Sequence, residues 1–131
     1  MFSTKGRYAL RVMIDLAEHK GEEHIPLKDI AERQDISKKY LEIIVKDLVK
    51  GGLISGVSGK HGGYTLTRDP DKYTVGEIVE LMEGSFAPVA CLNKGAKKCE
   101  RSRKCKTLKM WKEFYAIEKD FFFGKKLSDL V

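Results

Sequence analysis

The chain has 131 residues and a net charge of +6, so it is long enough for one domain and needs no disulfide bonds to fold. No apolar run approaches the roughly 20 residues that span a bilayer, and charges scattered through the first twenty residues argue against a signal peptide. The composition therefore predicts a soluble cytoplasmic protein with reduced thiols and no membrane partner.

The basic charge is concentrated in one segment. Residues 91–112 hold nine lysines or arginines and a single acid, Glu100, so this segment is +8 and the other residues together come to −2. A polyanion is the expected partner of a basic protein. Because the charge is so uneven, a uniformly basic nucleic-acid coat is excluded, and the basic segment needs its own explanation.

Three amphipathic helices are predicted in the first fifty residues. Apolar side chains at helical spacing predict a helix over 3–19, and a second runs over 25–33 with a proline in its first turn. A tight turn follows at 34–36, after which Ser37 is a good N-cap for a third helix over 38–50. Two short helices joined by a tight turn form a helix-turn-helix pattern. The apolar face of the first helix comprises Tyr8, Val12, Met13, Leu16 and Ala17.

A β-hairpin is predicted directly after the third helix. Residues 53–55 and 64–67 have the composition of short strands, and the four glycines between 56 and 63 mark the turn that joins them. A helix-turn-helix followed at once by a hairpin is a winged helix. Thr74 and Glu77 then match a capping box, which predicts a fourth helix ending near Glu83.

Duplex DNA is the partner that a winged helix suggests, because the first residues of its recognition helix reach base edges in the major groove. A carboxylate there repels phosphates unless it finds a donor such as a cytosine amino group, so Glu42 is expected to discriminate between sequences. A cation at the glycine-rich wing tip is expected to enter the minor groove. A protein-interaction module without DNA binding stays an alternative. The candidate DNA-binding residues are Ser37, Lys38, Lys39, Tyr40, Glu42, Ser58, Lys60 and His61.

The last helix is predicted from about Arg103 to Phe122 and has two apolar stripes. This is more apolar surface than a surface helix needs, so we prefer a dimerisation helix over the alternative of a core helix in a monomer. The predicted organisation is a winged-helix domain (1–84), a cysteine loop (85–106), and a dimerisation helix with a tail (107–131). The stripes comprise Met110, Phe114, Ile117 and Phe121, and Leu108, Trp111, Tyr115 and Phe122.

The cysteine loop contains Cys91, Cys99 and Cys105 in a hydrophilic setting that offers no core for them. Nearby cations favour thiolates, the form that binds metals and reacts with oxidants. Three thiolates suit zinc or an iron–sulfur cluster, and both usually take a fourth ligand. The wide spacing lacks the close pairs of most zinc sites and favours a cluster, while direct oxidation of the thiols stays open.

Nearly the whole chain resembles the IscR-like regulators, a superfamily that includes the cysteine-metabolism repressor CymR and the nitric-oxide sensor NsrR. The resemblance rests on STKGRYALRVMIDLA, on ISKKYLEIIVKDLVKGGLISGVSGKHGGYTLTR, on the cysteine loop followed by Trp111, and on the ending LSDLV. It implies a homodimeric winged-helix transcription factor whose Cys91, Cys99 and Cys105 hold an iron–sulfur cluster, most simply 2Fe–2S. It also implies that Glu42 is the recognition-helix carboxylate.

Several positions depart from that family. IscR proteins have a histidine three residues after the last cysteine, where this chain has Leu108, and NsrR proteins have an acid before the N-terminal tyrosine, where this chain has Arg7. The fourth ligand is therefore open. Ser58 and Lys60 replace an arginine and a proline of the IscR wing, which leaves the operator sequence open. The first two cysteines are also further apart than in IscR.

The function predicted from these residues is a DNA-binding transcriptional regulator, acting as a repressor, that senses iron–sulfur status or redox or nitrosative stress. Ordering the loop around a cluster is expected to reset the spacing of the two recognition helices. The alternative is a regulator of cysteine or sulfur metabolism that uses thiol oxidation or zinc. A cluster carrier would not need the winged helix, and no catalytic set or phosphate-binding loop supports an enzyme.

Overall fold

The computed structural model describes residues 2–21 and 23–131. Within them it has five α-helices and one two-stranded antiparallel sheet, which confirms the predicted mainly α fold with a β-hairpin wing. No helix in the described part of the chain is long and apolar enough to cross a membrane. The elements are α1 (Thr4–Glu18), α2 (Leu27–Gln34), α3 (Lys38–Lys50), β1 (Ile54–Val57), β2 (Gly63–Leu66), α4 (Val75–Glu83) and α5 (Leu108–Gly124), with short 3₁₀ helices at Pro70–Lys72, Ala90–Leu92 and Leu127–Leu130.

The central element is α1, which packs against α2, α3, α4, β2 and the C-terminal 3₁₀ helix. Its predicted apolar face is buried except for Tyr8, which is half-buried because its ring lies at the edge of the core beside Tyr40. The predicted caps are also present: the Ser37 side chain caps α3, and Thr74 and Glu77 form a capping box at α4. Local signals in the sequence therefore set where these two helices begin.

The wing is a tight hairpin in which Ile54 pairs with Leu66 and Val57 pairs with Gly63. Each strand differs in its bounds from the prediction, because pairing continues through Gly56 and Val57 and leaves only residues 58–62 for the turn. A β-carbon at Gly62 would lie 2.2 Å from the Val57 carbonyl oxygen. Only glycine therefore fits at position 62 of this turn.

The last helix, α5, begins at Leu108 rather than near Arg103, which corrects the predicted start. Residues 100–107 form turns instead, because this run is basic and has no apolar position that could pack before Leu108. After α5 the chain folds back on the body: the Lys125 carbonyl accepts the Val75 N–H at 2.8 Å, and Leu127 is fully buried. The end of α5 is thus fastened to the winged helix.

None of the α5 side chains is fully buried. Tyr115 and Phe122 pack against a small apolar cluster that contains Val75, Val79 and Phe86. The opposite face is left to solvent in this chain, with Ile117 68% exposed and Phe121 59% exposed. A single chain thus covers only one of the two apolar stripes.

Candidate DNA-binding surface and cysteine loop

The N-terminus of α3 is presented to solvent. The Ser37 hydroxyl accepts the Tyr40 N–H at 3.1 Å and so caps the helix. Because one face of α3 is buried in the core, the opposite face points into solvent. Lys38, Lys39 and Glu42 are all exposed. This end of α3 therefore has the exposure and the mixed charge that reading base edges requires.

Tyr40 differs from its neighbours because it is half-buried. Its ring packs edge-on against Tyr8 with 5.8 Å between centroids, and the Arg11 guanidinium lies 5.1 Å from the centroid of Tyr8. The Tyr40 side chain therefore joins α3 to α1.

A buried carboxylate fastens α2 to α1. Asp15 is 1% exposed, and its carboxylate accepts hydrogen bonds from Arg33 at 2.8 and 3.1 Å and from Gln34 at 3.0 Å. Burial by itself would raise the pKa of Asp15, but the hydrogen bonds from Arg33 and Gln34 and the charge of Arg33 hold that pKa below its usual value. These contacts set the angle between the two helices ahead of the recognition helix.

An open groove lies between α3 and the wing. The structure brings two of the predicted DNA-binding residues, Glu42 and Ser58, to the same groove, and Lys60 and His61 are exposed at the wing tip beyond it. The sequence prediction missed Lys46, which lies one helical turn after Glu42 and lines this groove. Its i+4 spacing from Glu42 was the available signal. The groove is lined by Glu42, Lys46, Val49, Gly56, Val57, Ser58 and Tyr64.

The base of the wing is fastened by the hydroxyl of Tyr73, while β2 also pairs with the body through two backbone hydrogen bonds between Tyr64 and Ile25. Tyr73 is fully buried, and its hydroxyl donates to the Leu53 carbonyl at 2.7 Å and accepts the N–H groups of Thr67 at 2.9 Å and Arg68 at 3.1 Å. The Arg68 guanidinium covers the ring at 4.6 Å from its centroid and pairs with Glu77 at 2.9 Å. The chain just before β1 and just after β2 is thereby joined to one side chain that the sequence prediction did not single out.

The three cysteines are exposed and free of disulfide bonds. Cys91 lies in the 3₁₀ helix Ala90–Leu92, and Cys105 lies just before α5. The Cys105 sulfur is 3.4 Å from the Thr107 hydroxyl oxygen. This contact, followed by the backbone N–H groups of Thr107 and Leu108 and the charge of Arg101, lowers the pKa of Cys105. Cys105 therefore favours the thiolate that binds metals.

The thiols are not assembled into a site in this chain. Among residues 2–21 and 23–131, no three histidine, cysteine or acidic side chains form a group that could hold a metal ion. The donor set itself fits an iron–sulfur cluster, since three accessible thiols lie in one loop of strongly positive charge. Leu108, at the position of the IscR histidine, is the first residue of α5 and offers no donor atom.

A cavity lies between the N-terminal residues, the start of the cysteine loop and α5. Phe2, Phe86 and Phe114 line it together with the carboxylates of Glu83 and Glu118. Glu83 accepts hydrogen bonds from the Ser3 N–H at 2.9 Å and the Ser3 hydroxyl at 2.7 Å. The Glu118 Oε1 atom is buried and has no hydrogen-bond partner in the described chain, and this burial raises the pKa of Glu118.

Comparison with known sequences identifies close relatives over nearly the full length. The Rrf2 family, described as an iron-dependent transcriptional regulator, matches residues 2–131. The HTH-type transcriptional regulator IscR of Aliivibrio salmonicida is 36% identical over 129 residues, which cover 98% of this chain and 76% of that protein. An IscR of Escherichia coli is 37% identical over the same length and is covered to 78%. These relatives are transcriptional regulators rather than enzymes.

Solved structures give the same fold. CymR of B. subtilis, described as its global cysteine regulator, superposes with a TM-score of 0.80 at 35% identity, covering 99% of this chain and 95% of that chain. IscR of T. potens superposes with a TM-score of 0.75 at 34% identity, covering 99% and 85%. The two neighbours are almost equally similar in sequence, so overall similarity does not choose between them.

Proposed function

The chain belongs to the Rrf2 family of transcriptional regulators, and we propose that it is a homodimeric repressor that binds an operator in duplex DNA and carries a 2Fe–2S cluster in its cysteine loop. The division of labour follows the chain: residues 1–84 bind DNA, residues 85–106 hold the cluster, and residues 107–131 form the dimer. Iron–sulfur status, or redox or nitrosative stress, is the proposed signal.

DNA binding is supported by the exposed start of α3 beside an exposed wing. Lys38, Lys39 and Lys60 supply cations for phosphates, and the carboxylate of Glu42 supplies selectivity. The neutralised phosphates would release counterions, so the affinity should fall steeply with salt. Affinity that does not depend on salt, or no binding to any duplex, would contradict this part of the proposal.

Dimerisation is supported by the uncovered stripe of α5. Met110, Phe114, Ile117 and Phe121 are each 46–68% exposed on one face of a helix that is fastened to its own domain by the other face. An apolar stripe of this kind marks a protein–protein contact. A second copy of the same helix supplies a matching stripe, and a two-fold axis would also set the distance between the two recognition helices.

The cluster is proposed on the observation that carries it: three free, exposed thiols in a loop of exceptional positive charge. Cys91, Cys99 and Cys105 would hold it, and when bound it would supply a redox-active centre whose negative charge the lysines and arginines offset. Cys105 is only three residues from Leu108, where α5 begins. The conformation of the loop therefore bears directly on the start of the dimer helix.

A second candidate is a regulator of cysteine metabolism that uses thiol oxidation or zinc in place of a cluster. It is favoured by the CymR likeness and by the lowered pKa of Cys105, whose exposed thiolate would react with oxidants. Operator binding would be the same in both candidates. The contents of the loop distinguish them.

The deciding experiment is purification without oxygen, followed by visible absorption and assays of iron and acid-labile sulfide. The 2Fe–2S proposal expects two irons and two sulfides per chain, with bands that disappear in Cys91→Ala, Cys99→Ala and Cys105→Ala. A colourless protein without iron, even after anaerobic reconstitution, would overturn the cluster and leave the second candidate. Ser102→Ala, in the same loop, is the matched control and should keep the bands.

A further inference from the structure

The wing is attached to the rest of the molecule in two places, by the backbone pair of Tyr64 with Ile25 and by the hydroxyl of Tyr73. The hairpin leaves the body at Leu53 and returns at Thr67, and at both points the main chain bonds to the hydroxyl of Tyr73. Leu53 immediately precedes β1 and Thr67 immediately follows β2. One hydroxyl group therefore ties both ends of the paired hairpin to the ring of Tyr73 in the core.

Side-chain packing reinforces this junction. The Thr67 hydroxyl donates to the Gly52 carbonyl at 2.9 Å and lies 3.2 Å from the Tyr73 hydroxyl oxygen. The ring of Tyr73 is part of the main apolar core, with the Arg68 guanidinium over its other side. A rigid ring that is fixed in the core thus holds a hairpin whose tip is exposed.

The main chain of Tyr73 is held by the C-terminal segment of the chain. Its carbonyl accepts the Leu127 N–H at 3.1 Å, and Leu127 is fully buried in the same core as the tyrosine ring. This contact comes from the segment that follows α5. The same residue therefore contacts the wing through its hydroxyl and the tail of the proposed dimer helix through its carbonyl.

We propose that Tyr73 is a positioning residue for DNA binding, which aims the wing tip at the duplex and connects wing orientation to the position of α5. The inference rests on the proposed DNA binding by the wing. Lys60 makes the wing's contact with DNA, while Tyr73 acts only through it. Loss of the hydroxyl group leaves the carbonyl and its bond to Leu127 in place, so Tyr73→Phe tests the wing side of the connection by itself.

The test is a double-mutant cycle on operator affinity measured over a range of salt concentrations. Each lost phosphate contact reduces the slope of log affinity against log salt by about 0.9. Lys60→Ala should therefore reduce this slope by about 0.9 per protomer, and Tyr73→Phe should reduce it by a similar amount. In the Tyr73→Phe background, Lys60→Ala should change the slope no further, because the tip no longer reaches the duplex.

A direct measurement accompanies the cycle. Amide hydrogen exchange should accelerate at Thr67 and Arg68 in Tyr73→Phe, since both N–H groups lose their acceptor, while the amides within α3 keep their protection. Ile78→Val is the stability control, because it trims a fully buried side chain of α4 in the same core. It should lower the melting temperature without changing the salt slope.

The possible outcomes distinguish a failure of the proposed DNA contact by the wing from a failure of the proposed role of Tyr73. If Lys60→Ala leaves the slope unchanged in the native background, the wing does not contact DNA, and the inference fails with that part of the proposed function. If Lys60→Ala lowers the slope but Tyr73→Phe does not, or if the two effects add, only the inference is overturned. If Tyr73→Phe folds poorly, Thr67→Val takes its place in the cycle. This change removes the exposed hydroxyl group that bonds to the Gly52 carbonyl, and it should lower the salt slope in the same way.

Discussion

The proposed DNA-binding half of this chain and its proposed sensing half differ in how much of their apolar and polar surface the single chain covers. In residues 2–21 and 23–84, helices α1 to α4 and the hairpin share one buried core, and polar contacts such as Asp15 with Arg33 fasten neighbouring elements. In residues 85–131, α5 leaves one face uncovered and the three thiols are exposed and separate. A single chain therefore satisfies the first half, whereas the second half leaves exposed the apolar face and the thiols for which we propose a second copy and a cluster.

The largest expected effect comes from α5, and it tests whether the second half is completed by another copy. Ile117→Lys should separate the dimer, because burying an isoleucine contributes about 1.5–3 kcal/mol and a two-fold interface contains it twice. The dimer dissociation constant should rise by roughly two to four decades. Sedimentation equilibrium measures it. Thermal stability of the separated chain should change little, since Ile117 is 68% exposed.

Ala116→Lys is the matched control for this change. It adds the same charge to the same helix at an exposed position that lies off the apolar stripe. It should leave the dimer intact. If Ile117→Lys and Ala116→Lys behave alike, the apolar face of α5 is not the dimer contact, and the contrast between the two halves loses its main support.

The next effect tests the completeness of the DNA-binding half. Asp15→Asn should destabilise the fold by about 2 kcal/mol, because charged hydrogen bonds from Arg33 and Gln34 lose strength and a buried acceptor is lost. The pKa of Asp15 is depressed in the folded state, so its stabilisation is present above the ordinary aspartate value and is lost as pH falls through the folded-state pKa. Denaturant unfolding at several pH values measures both effects.

The comparison variant, Asp29→Asn, changes a half-buried aspartate of α2 for which the structure records no ion pair with described residues. The free energy of unfolding of Asp29→Asn should change with pH much as that of the native protein does. Asp15→Asn should lose part of that acid dependence. Equal pH profiles for the native chain and Asp15→Asn would show that this carboxylate is not what fastens α2 to α1.

A smaller effect is expected at the recognition helix. Glu42→Gln should relax sequence preference, because a well-placed contact to a base contributes about 1–3 kcal/mol of discrimination. Competition between the operator and single-base variants measures this. Lys46→Ala, one turn along the same groove, should instead weaken binding to all sequences alike and reduce the salt slope. A uniform loss of affinity in Glu42→Gln would assign Glu42 no role in selectivity.

The sequence predicted best those parts of the molecule that depend on neighbours in the chain. The bounds of α3 and the capping box of Thr74 and Glu77 follow from residues three or four positions apart. The predicted start of α5 lies about five residues before the observed one, because basic residues are compatible with a helix but provide no apolar contact to stabilise one. Propensity without packing does not determine where a helix begins.

Contacts between distant residues account for what the sequence did not predict. Tyr73 reads as an ordinary aromatic residue, and only the fold brings its hydroxyl to Leu53 and Thr67. Likewise, the cysteine pattern predicts the chemistry of a ligand set without its geometry. The proposed cluster would take its fourth ligand from outside this pattern, since Leu108 has no donor atom.

The smallest effect concerns Glu118, which lines the cavity beside Phe86 and Phe114 and has a buried carboxylate oxygen without a hydrogen-bond partner among the described residues. Burial raises its pKa in the folded state, so the charged carboxylate opposes folding above the ordinary glutamate pKa and ceases to do so below it. Glu118→Gln should therefore stabilise the protein by less than about 1 kcal/mol at pH 7 and have no effect near pH 3. Denaturant unfolding measures both. Destabilisation at pH 7, together with a weaker dimer, would instead mean that the second copy supplies a cation to Glu118, so that this half of the molecule is completed by charge as well as by apolar contact.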